Sequence, residues 1–109
     1  MKKEKFEYET YISKGINNLI LFSINSVEDK KGKCTFEMLV KECFELFPRA
    51  FCFKTIKWPD SRKLDRPLRE LRRKKMINGG PKSVFSLTKA GKNSAEGVAK
   101  ALGQGRLKI

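Results

Sequence analysis

Asp60–Gly91 reads DSRKLDRPLRELRRKKMINGGPKSVFSLTKAG, and its order of charged, apolar and glycine residues decides the fold. Leu64, Leu68 and Leu71 stand at i, i+4 and i+7, which gathers them on one side of a helix turning about 100° per residue. On the same wheel Arg62, Arg66, Arg69 and Arg73 fall within roughly 60° of one another and nearly opposite the leucines. A helix over about 60–75 is therefore predicted, with a buried leucine edge and an outward stripe of arginines.

That stripe is unfavourable for an isolated helix, since like charges three or four residues apart cost roughly 0.2–0.5 kcal/mol per pair. Glu70 lies beside it, and one carboxylate cannot neutralise four guanidiniums. An external polyanion can, because the planar guanidinium fork fits phosphate oxygens and the O6/N7 edge of guanine. A solvated face on a basic protein is the plainer reading, but it leaves the concentration of arginine unexplained. Arg62, Lys63, Arg66, Arg69, Arg72, Arg73 and Lys82 are the candidate DNA contacts.

Pro67 admits two arrangements. In a helix unbroken from Asp60, with Asp60 or Ser61 as its N-cap, proline removes an interior hydrogen bond at roughly 3 kcal/mol unless a kink relieves it. With Asp65 as the cap, Pro67 falls in the first turn, where its missing N–H does no harm. After the helix, Asn78-Gly79-Gly80-Pro81 forms a turn between a short strand near Ile77 and the alternating Val84-Phe85-Ser86-Leu87, a hairpin with its tip at about 78–83. Thr88 is placed to cap a last helix reaching about Leu102, with Val98, Ala101 and Leu102 as its apolar contacts.

Towards the start of the chain, Ile12, Ile16, Leu19, Ile20 and Ile24 follow helical spacing and predict a first helix from Thr10 to Ser26, with Gly15 inside it. Glu28–Lys33 reads as a polar loop. Thr35 caps a second helix whose apolar face carries Phe36, Leu39, Val40, Cys43, Phe44 and Phe47, with Lys41, Glu42 and Glu45 solvated and Pro48 as the stop. In Arg49–Trp58, Phe51, Phe53 and Ile56 alternate like a short strand; an aromatic plug over the core is the commoner case, and a stacking platform built on Trp58 the rarer one. Residues 1–8 and 103–109 have the composition of flexible ends.

The chain has 109 residues, enough for one domain and one modest core. Its net charge of +13 is unevenly placed: residues 1–53 hold nine Lys/Arg against eight Asp/Glu, and residues 54–109 sixteen against four. A positive field confined to one half is the footprint expected of a nucleic-acid surface. Its apolar runs are too short to span a bilayer, and MKKEKFEYET has no apolar segment after its lysines, so a soluble, cytoplasmic protein is expected. Cys34, Cys43 and Cys52, with no histidine anywhere, match neither a zinc spacing nor a paired disulfide framework and read as free, mostly buried thiols.

The sequence from Ser61 to Ile77, the glycine turn and the closing FSLTKAG together resemble the winged helix-turn-helix DNA-binding domains, in which a helix of pattern L-x-x-L-x-x-x-x-x-I is followed by a hairpin closing in L-T-x-x-G. The likeness in element order covers about residues 10–102, and its informative part is Leu64–Gly91. It implies a mainly α fold with a small β-hairpin, about four helices and a two- or three-stranded antiparallel wing sheet. It also implies that helix 60–75 enters the major groove of double-stranded DNA with the wing beside the backbone, as in a transcriptional regulator.

An enzyme is not expected, because the chain has no histidine, no phosphate-cradling G-x-x-x-x-G-K loop and no cysteine with a candidate base. Asp60 and Asp65 read as caps rather than a metal pair, and no cofactor, small-molecule ligand or membrane partner is indicated. The alternatives to DNA are an interaction module for an acidic protein and, more weakly, RNA or single strands. A homodimer would use a terminal helix, Thr10–Ser26 or Ala90–Leu102.

Overall fold

The computed structural model describes residues 11, 13–52, 62–80 and 82–107, with side chains as far as Leu102. The architecture is mainly helical with a small three-stranded antiparallel sheet. In chain order the elements are α1 (Ile16–Lys31), β1 (Cys34–Thr35), α2 (Phe36–Leu46), α3 (Arg62–Arg73), β2 (Ile77–Asn78), β3 (Val84–Leu87) and α4 (Lys89–Leu107).

Helix α1 is the hub: it packs on α2, α3, α4 and β3, most extensively on α4. Its buried residues Leu19, Ile20, Leu21, Ser23, Ile24 and Val27 cover more than one side, as a helix enclosed by neighbours requires. The buried Ser23 hydroxyl is satisfied within the helix by donating to the Leu19 carbonyl at 2.9 Å. The helix is displaced from the predicted Thr10–Ser26. Gly15 is not interior but the N-cap, with φ 87°, and Gly32 in the left-handed region closes the other end, its N–H donating to Glu28 at 2.8 Å. Glu28–Lys31 is thus helical rather than loop, the charged residues forming its last exposed turn.

Helix α2 follows the sequence closely. The Thr35 hydroxyl accepts from the Met38 N–H at 3.2 Å, and the helix ends at Leu46, two residues before Pro48. Glu42 departs from expectation. Lys41 and Glu45 are exposed, but Glu42 is buried against α1, accepting from Ser26 Oγ at 2.5 Å and pairing with Lys30 Nζ at 2.8 Å. A carboxylate taken from water must be paired or hydrogen-bonded, and here it is both. Beyond α2, Phe47 packs its ring at a tilt against Tyr11 and Phe51 and edge-on against Phe22, with ring centroids 5.0, 6.4 and 5.9 Å away. Phe51 is fully buried at a bend, in keeping with an aromatic plug, while Phe53, Ile56 and Trp58 lie outside the described residues.

The sheet has the order β1-β3-β2. β2 and β3 form the hairpin, with Ile77 opposite Leu87 and Asn78 opposite Ser86, and β3 turns its other edge to β1, with Cys34 opposite Phe85. β1 was not legible in the sequence, since two residues are too few to show alternation. Thr35 serves both as its second residue and as the cap of α2.

Helix α4 begins where Thr88 predicts, the Thr88 hydroxyl accepting from the Gly91 N–H at 3.1 Å. Ala95, Val98 and Leu102 are buried, and Ala101 is half-buried. The helix runs to Leu107, past the expected end at Leu102, so residues 103–107 are not a trailing segment. Glycine costs only about 1 kcal/mol in a helix interior, and a helix already nucleated propagates through Gly103 and Gly105. Residues 1–10 and 108–109 lie outside the described residues.

Candidate nucleic-acid interface

Helix α3 is held by its leucines. Leu64, Leu68 and Leu71 are buried, each contributing about 1.5–3 kcal/mol on removal from water. Pro67 is inside the helix, which already runs from Arg62, so a cap at Asp65 is not the arrangement adopted. The expected caps Asp60 and Ser61 lie outside the described residues. Pro67 has no N–H for the Lys63 carbonyl, and its ring is half-buried beside Leu68.

The helix ends in a Schellman motif, with Met76 N–H donating to Leu71 at 2.9 Å and Lys75 N–H to Arg72 at 3.0 Å. Lys75 takes the left-handed position at φ 59°, usually a glycine's. Just beyond, Thr88 N–H donates to the Met76 carbonyl at 3.0 Å, and a Cβ on Gly91 would come within 2.0 Å of that same oxygen. This is why the closing L-T-x-x-G needs its threonine and its glycine: both seat the start of α4 on the end of α3.

Arg62, Lys63, Arg66, Arg69, Arg72 and Arg73 are all exposed, as is Lys82 in the hairpin turn. Their surroundings differ. Arg69 pairs with Asp65 at 3.0 Å and Arg73 with Glu70 at 3.7 Å, both in the open. Arg66, Lys63 and Lys82 make no ion pair among the described residues. Arg72 stands off the stripe, on the flank towards the hairpin, where Nη1 donates to the Gly79 carbonyl at 3.0 Å.

Glu70 occupies the opposite flank and accepts from Asn17 Nδ2 of α1 at 2.7 Å. That hydrogen bond, with Lys74, Arg73 and Arg66 nearby, holds its carboxyl below the usual range and keeps it ionised. The Asp65–Arg69 pair was available in the sequence as an i,i+4 spacing, whereas nothing there announces Asn17 as a partner of Glu70. Between α3 and β3 lies a shallow cleft of about 380 Å³, with Leu68 and Phe85 as its apolar lining and Asp65, Arg69 and Arg72 as its charged lining.

No helix among the described residues is long and apolar enough to cross a membrane. Comparison with protein-family models, with curated proteins and with solved structures finds no match.

Proposed function

We propose that the chain is a winged helix-turn-helix protein that binds double-stranded DNA, with α3 in the major groove and the β2–β3 turn as a wing against the backbone, in the service of transcriptional regulation. The observation that carries this reading is the exposed arginine face of α3 opposite three buried leucines. Two helices followed directly by a hairpin support the winged-helix part of it. Arg66, Arg69 and Arg73 address the groove, Arg62 and Lys63 the phosphates at the helix start, and Lys82 the backbone from the wing.

The carboxylates of Asp65 and Glu70 do not neutralise this face. Exposed single ion pairs are worth about 0–1 kcal/mol, so phosphate can take over Arg69 and Arg73 at little cost. Most apolar residues of α1 are buried within the chain, Ile16 and Phe22 only partly, and α4 turns Lys89, Lys92, Asn93, Glu96 and Lys100 outward, so a homodimer formed through α4 would have a polar seam.

Fluorescence anisotropy with a labelled duplex tests the proposal. With about five phosphates neutralised, log affinity should fall against log salt with a slope of roughly −4 to −5. A slope near zero, or no binding at low salt, overturns it, and co-purification of an acidic protein would then favour an interaction module. Arg66→Glu with Arg73→Glu should abolish binding while the thermal melt is kept; a collapsed melt would make the stripe structural.

A further inference from the structure

One side chain ties the hairpin turn to α3. Arg72 Nη1 donates to the Gly79 carbonyl at 3.0 Å, and a Cβ on Gly80 would lie 2.9 Å from that nitrogen. On the wheel Arg72 sits roughly 90° from the centre of the arginine stripe, turned towards the hairpin.

The two glycines of the turn are needed for different reasons. Gly79 has φ +95°, and a Cβ there would come within 1.9 Å of the Val84 carbonyl oxygen, so its glycine belongs to the turn's own backbone. Gly80 is outside the left-handed region, and the guanidinium of Arg72 is what occupies the space beside it. Gly80 is thus small on behalf of Arg72 rather than of the backbone.

We propose that Arg72 is a positioning residue rather than a DNA contact: it clips the turn to α3, so that Lys82 and the arginine stripe meet the duplex as one preorganised surface. This rests on the DNA-binding reading. A turn already fixed in its bound position spares the ordering cost that a loose wing incurs on association. Arginine suits the task because its rigid fork loses little freedom per hydrogen bond formed.

Gly80→Ala separates the two roles. It keeps every charge and adds one methyl where the guanidinium lies; the tip of a flexible side chain moves aside and the fold is kept. Backbone 15N relaxation of the free protein should show Gly79, Lys82 and Ser83 losing order in Gly80→Ala and in Arg72→Gln alike. Binding to a labelled duplex should weaken roughly three- to tenfold in Gly80→Ala, the range of one net hydrogen bond. In a Lys82→Gln background the same substitution should add little, because the clip acts through the wing.

A Gly80→Ala protein with wild-type turn order overturns the proposal, as does one with a loosened turn but unchanged affinity, or fully additive losses with Lys82→Gln. A silent Gly80→Ala beside an Arg72→Gln that flattens the salt slope by about 0.9 would make Arg72 a phosphate contact. Should the wild type bind no duplex, the DNA-binding reading fails by itself, and turn order alone decides whether the clip exists.

Discussion

The Thr88 hydroxyl donates to the Lys75 carbonyl at 2.7 Å while accepting from the Gly91 N–H at 3.1 Å, so one side chain closes α3 and opens α4. Thr88→Val keeps the shape and removes both hydrogen bonds. It should cost about 1–2 kcal/mol in urea denaturation, the scale of a lost helix cap, and Thr88→Ser should recover most of it. A neutral Thr88→Val would show that the junction is held by packing alone.

Lys75 offers the reverse opportunity. A left-handed conformation costs a residue with a Cβ roughly 1–2 kcal/mol, a penalty glycine escapes. Lys75→Gly should therefore raise the melting temperature, by about 4–8 °C for each kcal/mol gained.

Gly91 and Gly97 share a helix and should respond oppositely to alanine. At Gly91 the new methyl meets the Met76 carbonyl, backbone that cannot step aside, and a loss of about 1–3 kcal/mol or more is expected. At Gly97 nothing lies within 4 Å, and alanine should stabilise the helix by about 0.5–1 kcal/mol. Equal effects at the two positions would show that α4 is not seated on α3 as described.

Glu70 should leave a mark on acid stability. Its carboxyl is held low chiefly by the Asn17 hydrogen bond, then by Lys74, so its stabilising contribution is complete above the ordinary glutamate range and is lost as pH falls through the depressed value. The stability difference between wild type and Glu70→Gln should shrink as the solution is acidified below about pH 4. A 13C titration of the carboxyl in Asn17→Ala should show its midpoint moved upward.

The three thiols should react unequally. Burial pushes Cys34 up to about 12, and Cys43, fully enclosed, is also raised by burial, whereas Cys52 is partly exposed. A maleimide at neutral pH should label Cys52 first, with Cys34 and Cys43 following only as the protein unfolds. Rapid labelling of Cys43 would contradict its enclosure.

What the sequence disclosed follows from how each signal is carried. Leu64, Leu68 and Leu71 marked α3, and Thr35 and Thr88 marked two helix starts, because periodicity and caps are local. Gly15 misled: helical spacing on both sides of it places it inside a helix, but a glycine at φ 87° is a boundary. Glu42 misled for another reason, since its partners Ser26 and Lys30 belong to a different helix, and the Asn17–Glu70 hydrogen bond had no local signal at all. Contacts 16 or 53 residues distant leave no periodic trace. The arginine face was legible, but the hydrogen bond from Arg72 to Gly79 depends on the path of the turn.

Because the first helix finds its most extensive neighbour in the last, the ordering of folding is constrained. Packing α1 against α4 has to await the elements between them, a non-local contact of the kind that slows folding. A chain interrupted before Lys89 would leave the side of α1 that α4 covers open to water, a sticky surface for other chains and for chaperones.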